Sequence, residues 1–292
     1  MKHISVMSQE LIEYLHPRTN NNYIDATLGE GGHSKLILKN IVSGKILAID
    51  QSLKSINKAK LNLKKYSRNI IYVNDNFANL DKIVKKNKFC DIDGIIYDFG
   101  LASWQIDDSK KGISFSKNEI LDMRLRDEQA NLGYRLLSAD KLVNTFTIKK
   151  IANILYTFGD IRNSWAVARK IDIARKQRPI KTTYDLVRAL ETKNPKILAP
   201  IFQALRIYIN DELKNIEKSL NIALDVLSSN GRIVAISFHS GEDRIVKNIF
   251  RNRLKVKKDI KILTKKPILP KINEIKNNPR SRSAKLRAII KL

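Results

Sequence analysis

The chain has 292 residues, of which 43% are hydrophobic, so it is long enough to bury a substantial core. Its single cysteine excludes an intramolecular disulfide, and its four scattered histidines offer no zinc cluster, so we expect no metal site and a reducing compartment. A formal net charge of +26 indicates a polyanionic partner. Nucleic acid fits that charge better than a membrane surface, because no basic amphipathic helix is evident.

The first fifteen residues are interrupted every few positions by polar or charged side chains. Such a stretch is neither the apolar region of a signal peptide nor a membrane span. We therefore expect a cytoplasmic protein with no membrane association.

Short apolar runs bounded by turn residues predict five parallel strands. These runs are Tyr23–Thr27, Lys45–Asp50, Ile70–Asn74, Ile92–Phe99 and Arg232–Phe238. Apolar residues at helical spacing predict helices between them, at Lys35–Asn40, Ser52–Lys65 and, with Asn210 as its N-cap, Asn210–Ser228. Strands that alternate with helices predict an α/β class, here a Rossmann-like doubly wound sheet.

The strand signal is absent between residues 108 and 207, where several helical segments follow one another. The segments are Leu136–Phe146, Ile148–Leu155, Asn163–Lys176 and Thr183–Glu191. We interpret residues 108–207 as an inserted helical subdomain for substrate recognition, and residues 1–107 with 208–292 as the cofactor-binding domain. Loops at the carboxyl edge of such a sheet carry function, so the insertion is expected to act there.

The turn after the first predicted strand reads Asp25-Ala-Thr-Leu-Gly-Glu-Gly-Gly-His33, and the second strand ends at Asp50. Glycines let the backbone approach a ligand closely, and an acid about twenty residues later can accept hydrogen bonds from ribose hydroxyls. The pattern predicts a nucleoside cofactor. Dinucleotides, nucleotides and S-adenosylmethionine all remain open at this point, although the loop has no phosphate-binding P-loop sequence.

Two other polar groups follow predicted strands. Asp98 ends a strand too apolar to lie at the surface, and His239 follows the fifth strand. Both are expected at the carboxyl edge, facing the cofactor crevice. A local cap or turn is the alternative role for Asp98, and a structural histidine is the alternative for His239.

Seven motifs in this order resemble the RsmH (MraW) family of bacterial methyltransferases, nearly end to end. They are Asp25 to His33, Asp98-Phe-Gly-Leu-Ala-Ser-Trp-Gln105, Gly112-Ile-Ser-Phe-Ser, Leu121-Asp-Met-Arg124, Phe202-Gln-Ala-Leu-Arg-Ile207, Ser237-Phe-His-Ser240 with Glu242-Asp-Arg244, and Asn278-Pro-Arg-Ser-Arg-Ser283. The resemblance implies an S-adenosylmethionine-dependent enzyme that methylates the N4 amine of a cytidine in the 16S rRNA decoding region, position 1402 in ribosomal numbering.

The resemblance also implies residue roles. Gly31, Gly32 and His33 would line the methionine and ribose part of the cofactor, Asp50 would hold the ribose hydroxyls, and Phe77 would stack beside the adenine. Asp98 and Gln105 would complete the cofactor site. These roles agree with elementary physics, because a flat aromatic ring gains stacking energy beside an adenine and carboxylates attract a nearby sulfonium.

Cytosine's exocyclic amine is a poor nucleophile, so we expect a carboxylate to accept one of its N–H groups. Asp98 is the candidate base, and His239 is a candidate proton relay. Arg280 and Arg282 are expected to bind RNA phosphates from the turn before the last strand, Leu286–Lys291.

The expected partner is 16S rRNA within the small ribosomal subunit, and a homodimer is left open. Two alternatives remain: a non-catalytic RNA-binding assembly protein on a methyltransferase-like fold, and an NAD-dependent dehydrogenase. A binding platform has no need of Asp50 and Asp98 at ligand-facing strand ends. A dehydrogenase explains neither the positive charge nor the helical insertion.

Overall fold

The computed structural model describes residues 5–101, 110–125 and 137–292. These residues form two compact units. The first unit combines residues 5–101 with residues 213–292, and the second unit contains the described residues from 110 to 212.

The first unit is built on a mixed sheet of seven strands in the described part of the chain. The strands are β1 (Asn22–Asp25), β2 (Ile46–Asp50), β3 (Ile70–Asn74), β4 (Ile92–Phe99), β5 (Leu227–Ser237), β6 (Ile260–Ile262) and β7 (Lys285–Lys291). Their spatial order is β3-β2-β1-β4-β5-β7-β6. Strands β1 to β5 are parallel, whereas β7 pairs antiparallel with both β5 and β6.

Helices cover both faces of this sheet, so the expected Rossmann-like α/β class is confirmed. The helices of the first unit are α1 (Ser8–Leu15), α2 (Gly32–Leu38), α3 (Leu53–Asn62), α4 (Leu80–Lys86), α10 (Glu212–Val226), α11 (Ser240–Val256) and α12 (Ile272–Asn277). Those of the second unit are α5 (Ala139–Thr145), α6 (Ile148–Gly159), α7 (Ser164–Gln177), α8 (Thr183–Ala189) and α9 (Pro195–Ile209).

The parallel strands are buried on both sides, which explains why their sequences are apolar runs rather than alternating patterns. On one face, strand residues such as Tyr97 pack against α10 and α11 through Leu220 and Phe250. On the other face, Ile96 and its neighbours pack against α1 and α3, including Leu11 and Ile56. The sheet is thus a rigid support for whatever follows the carboxyl ends of its strands.

The second unit has its own apolar cluster, formed by residues of α5 to α9 together with Leu121 and Met123. Asn210 belongs to this unit and not to the start of α10. It ends α9, its amide donates to the carbonyls of Met123 and Arg206, and its side-chain oxygen accepts from the N–H of Leu125. The expectation that Asn210 caps the next helix was therefore wrong.

None of the helices in the described part of the chain is long and apolar enough to cross a membrane.

Candidate functional site

The strand order reverses between β1 and β4, so a crevice opens at the carboxyl ends of these two strands. The turn from Ala26 to Gly31 follows β1, and Asp98 is the penultimate residue of β4. Neighbouring strand ends add Asp50 from β2 and Ser237 from β5. The fold therefore brings to one edge four segments that are far apart in sequence.

The glycine turn after β1 depends on left-handed backbone conformations. Gly29 has φ +54° and Gly31 has φ +83°, and a side chain on Gly31 would place its Cβ 2.7 Å from Cδ1 of Leu63. Position 31 thus favours glycine for two reasons, its left-handed conformation and the close packing of this turn against α3. Gly32 begins α2 immediately afterwards, so backbone N–H groups of a helix start face the crevice.

Asp50 ties this turn to β2. Its carboxylate accepts hydrogen bonds from the backbone N–H groups of Gly29 at 2.8 Å and of Ser52 at 2.8 Å. Carboxylate oxygens are acceptors for ligand hydroxyl groups as well as for backbone N–H groups. Asp50 has the chemistry predicted for a ribose acceptor, and it also fixes the shape of the glycine turn.

A second hydrogen-bond network joins β1 to β4. It is centred on Asp25, to which the sequence analysis assigned no role of its own. The buried carboxylate of Asp25 accepts from the Ser34 hydroxyl at 2.6 Å and from the N–H of Thr27 at 3.1 Å. The hydroxyl of Thr27 in turn accepts from the N–H of Asp98 at 2.7 Å. Asp25 carries the same sequence signal as Asp50 and Asp98, an acid at the end of an apolar strand, and burial raises its pKa.

Asp98 lies beside His33. Oδ2 of Asp98 is 3.5 Å from Nδ1 of His33, and Nε2 of His33 is 2.8 Å from the backbone carbonyl of Val6. A carbonyl can only accept, so Nε2 must carry a proton and Nδ1 is the atom that faces the carboxylate. Oδ1 of Asp98 is buried and has no hydrogen-bond partner among the described residues.

The environment of Asp98 favours its protonated form. Burial raises the pKa of Asp98 to about 6; the nearby imidazole of His33 opposes this rise, and the carboxylates of Asp25 and Glu242 add to it. A carboxyl group with a pKa near neutrality at the mouth of a crevice is typical of a functional position.

Two further polar atoms at this edge lack hydrogen-bond partners among the described residues, Oγ of Ser237 and Nε2 of His239. Ser237 pairs with Phe99 in the β4–β5 ladder, so its hydroxyl belongs to the strand adjacent to Asp98. His239 is the N-cap of α11: its Nδ1 accepts from the N–H of Glu242 at 3.4 Å, while Nε2 lies 3.1 Å from Oε1 of Glu242. His239 thus has a structural role, and its relay role stays a prediction.

Two further residues, Phe77 and Gln105, are predicted to bind the cofactor. Phe77 occupies a short 3-10 helix after β3, is half-buried, and contacts the rings of Tyr97 and Phe99 with centroids 6.0 and 6.2 Å apart. It packs at the margin of the core, and its stacking on adenine stays a prediction. Gln105 lies outside the described residues.

Arg280 and Arg282 lie in a 3-10 helix, Pro279–Ser283, directly before β7. The turn is fixed by the buried Ser281, whose hydroxyl and N–H both donate to the carbonyl of Asn278. Lys285 at the start of β7 pairs with Ser237 at the end of β5, which places the turn at the carboxyl edge of the sheet. Both arginines are exposed there.

This set of groups fits a ribose-bearing, positively charged cofactor. The Asp98 carboxylate has a buried oxygen with no partner among the described residues, and Asp50 supplies a second carboxylate at the same edge. No group of three or more His, Cys, Asp and Glu in the described residues is placed to hold a metal ion.

The chain is similar to several known proteins. The model of the MraW methylase family matches residues 1–292. A ribosomal RNA small subunit methyltransferase H of Mycoplasma capricolum is 40% identical, over 99% of each chain. Ribosomal RNA small subunit methyltransferase H 1 of Acholeplasma laidlawii is 39% identical, over 98% of each chain. The crystal structure of an rRNA methylase from Streptococcus thermophilus is 12% identical with a TM-score of 0.45, over 98% of this chain and 93% of that one.

Proposed function

The chain belongs to the MraW methylase family, whose relatives are named rRNA small subunit methyltransferases, and from this premise we propose its reaction. It transfers a methyl group from S-adenosylmethionine to the N4 amine of a cytidine in the decoding region of 16S rRNA. It acts in the cytoplasm on RNA of the small ribosomal subunit.

The observation that carries this proposal is Oδ1 of Asp98, a buried carboxylate oxygen without a hydrogen-bond partner among the described residues. An unsatisfied buried acceptor costs stability, so its presence at the topological switch point indicates that a ligand supplies the missing donor. The N4 amine of cytosine carries two N–H donors, of which one can bond to Oδ1. Ser237, on the adjacent strand, offers a hydroxyl for a neighbouring atom of the base.

When bound, S-adenosylmethionine supplies an electrophilic methyl group on a positively charged sulfur. Asp50 would accept from the ribose hydroxyls while it continues to hold the glycine turn. Gly31 and Gly32 allow close approach of the backbone, and the carboxylate of Asp98 favours positive charge in a partly desolvated crevice.

Asp98 orients and activates the amine. The lone pair of the amine is delocalised into the ring, and a hydrogen bond from its N–H to the carboxylate raises the electron density on nitrogen. As nitrogen bonds to the methyl carbon, the carbon–sulfur bond of the cofactor would break and its electron pair would go to sulfur, which gives S-adenosylhomocysteine. The surplus proton then passes to Oδ1. A pKa near 6 makes Asp98 able to take this proton and release it to water at neutral pH.

His33 is a positioning residue in this scheme. Val6 fixes the Nε2 proton, so Nδ1 of His33 faces Oδ2 of Asp98. In the doubly protonated imidazolium form, the Nδ1–H donates to Oδ2 and leaves Oδ1 to the substrate. The relay role of His239 stays a prediction, since its Nε2 lies 3.1 Å from Oε1 of Glu242, and His33 is the imidazole that contacts Asp98.

The second unit recognises the RNA. Trp165, Arg169 and Ile173 are exposed at i, i+4 and i+8 on α7, so an indole and a guanidinium lie on one helix face. Aromatic rings stack on unpaired bases and arginines neutralise phosphates, which is the combination that single-stranded RNA requires. The target base must be exposed to react, and a loop nucleotide is unpaired at the outset.

The proposal is tested with Asp98→Asn, which keeps the shape of the side chain and removes its charge. We expect single-turnover methylation of a 16S rRNA transcript to slow by roughly 10²- to 10⁴-fold, with a smaller change in S-adenosylhomocysteine affinity by calorimetry. Asp93→Asn is the matched control, since Asp93 lies at the other end of the same strand and accepts from the N–H of Asn22. It should methylate at the wild-type rate.

Near-normal methylation by Asp98→Asn would remove Asp98 from the chemistry. A wild-type protein that binds the transcript but neither S-adenosylhomocysteine nor S-adenosylmethionine would instead support the non-catalytic RNA-binding alternative.

A further inference from the structure

A groove of about 730 Å³ lies at the outer edge of the first unit, between α11 and the edge strand β6. Among the residues that the structure describes, no acidic side chain lines it. Six basic residues line it, and one of them, Arg287, pairs with Asp243. The other five are called here the groove cations: Lys247, Arg251, Lys258, Lys261 and Lys265.

The sequence builds this groove from two short patterns. Lys247, Arg251 and Leu254 recur at i, i+4 and i+7, which places them on one face of α11. The chain then turns through Lys258 in a left-handed conformation, φ +54°, and enters β6, where Ile260 is buried and Lys261 is exposed. The groove therefore has a partly apolar floor and a basic rim.

The groove cations differ from other basic residues nearby. Arg253, on another face of α11, pairs with Asp225 and Asp259, and Arg287 pairs with Asp243 at 2.6 Å. None of the groove cations forms an ion pair with a described residue. Five like charges around one concavity repel each other, and a polyanion that enters the groove relieves this repulsion.

The groove is separate from the cofactor crevice. Helix α11 begins at the carboxyl edge with Ser240 and runs away from it, so Arg251 lies about 16 Å along the helix axis at 1.5 Å per residue. Strand β6 begins opposite Lys291, at the end of β7 remote from Ser237. Arg251, Lys258 and Lys261 thus lie towards the amino edge of the parallel strands.

We propose that this groove binds the sugar–phosphate backbone of the rRNA substrate at a distance from the target nucleotide. The inference rests on the proposed function for the identity of the polyanion. Flexible lysines and an exposed arginine suit a backbone that is read by charge and not by base sequence. A concave groove also favours a nucleic-acid strand over the flat phosphate plane of a membrane.

The test neutralises three groove cations together, Arg251→Gln, Lys258→Gln and Lys261→Gln. A matched control neutralises three exposed lysines of α4, Lys82→Gln, Lys85→Gln and Lys86→Gln. Affinity for a 16S rRNA transcript is measured across a salt titration. Each lost phosphate contact lowers the slope of log affinity against log salt by about 0.7–0.9, so the groove variant should lose about two units of slope while the control keeps the wild-type slope.

Two further readouts separate this inference from the proposed function. The groove variant should bind S-adenosylhomocysteine with wild-type affinity and methylate the transcript at the wild-type single-turnover rate once RNA is saturating. Failure of the wild-type protein to methylate would refute the proposed function, whereas the groove is judged on the slopes alone. Equal slopes for the two variants would overturn the groove proposal. It would also be overturned if the groove variant lost binding to phosphatidylglycerol vesicles while its RNA binding stayed unchanged.

Discussion

Asp98 combines two opposing requirements in one side chain. The proposed chemistry needs a carboxylate with an available oxygen, yet burial among Asp25 and Glu242 makes the charged form unfavourable. Functional positions often reduce the stability of the fold in this way, since the missing interaction is supplied by the substrate. The same residue should therefore report on both activity and stability.

Asp98→Asn should stabilise the unliganded protein at pH 8. Burial raises the pKa of Asp98 to about 6 in the folded protein, above the ordinary carboxyl value, so the folded state binds the proton more tightly than the unfolded state. Wild-type stability therefore falls as pH rises between about 4 and 6. We expect the variant to gain about 1–3 kcal/mol above this window and little below it.

This gain is measured by thermal or urea unfolding at pH 8 and pH 5, with Asp93→Asn as the control for a partly buried acid that accepts a backbone bond. A difference between variant and wild type that is the same at both pH values would show that the charge of Asp98 is not the cause.

Asp50→Ala should weaken S-adenosylhomocysteine binding by ~1–3 kcal/mol, because two ribose hydroxyls lose a charged acceptor. The variant also loses the bonds to Gly29 and Ser52, so its unfolding free energy should fall by about 1–2 kcal/mol. Calorimetry well below the unfolding temperature measures the affinity, with the exposed Asp81→Ala as control. An unchanged dissociation constant in the folded variant would exclude Asp50 from the site.

Sequence reasoning could locate these acids because each ends an apolar run. It could not find the contact between His33 and Asp98, since residues 65 positions apart meet only through the pairing of β1 with β4. Gly31 illustrates a different limit. A side chain at position 31 would approach Leu63, the residue that follows α3, and an interpretation of the motif based on the ligand alone does not predict this contact.

At the scale of elements, long apolar strands were predictable and short edge elements were not. The run Ile92–Phe99 is a strand with the predicted limits. The basic segment Leu254–Lys266 shows no clear strand pattern in the sequence, yet it completes α11 and then forms β6. A three-residue strand has too few positions to show a period of two, so only its pairing with β7 identifies it.

The 3-10 helix before β7 supports a prediction on RNA binding. Ser281 anchors the turn, so Arg280 and Arg282 are presented from a fixed backbone at the carboxyl edge. Changing both arginines to Ala should lower the salt slope of rRNA binding by on the order of one to two units and leave cofactor affinity unchanged.

The matched control for this pair is Lys64→Ala with Lys65→Ala, two exposed cations that precede β3 and so lie at the amino edge. If both double variants reduce the slope equally, the arginines contribute only general charge.

At the scale of the whole molecule, the charge of +26 was informative about the partner but not about where the partner binds. The place where the partner binds could be proposed only from the structure, because the structure distinguishes paired cations such as Arg253 from the groove cations. The strand order likewise could not be read from the sequence, because the antiparallel entry of β7 between β5 and β6 depends on tertiary contacts alone.

The discontinuity of the first unit has a consequence for synthesis on the ribosome. About 130 residues separate the end of β4 from β5, its neighbour in the sheet. At a synthesis rate of 5–20 residues per second, one edge of β4 and its apolar surfaces remain uncovered for roughly 6–25 s. The second unit, which is contiguous and has its own core, is complete before β5 emerges. The nascent chain thus passes through a stage in which the half-built sheet is a natural client for a chaperone.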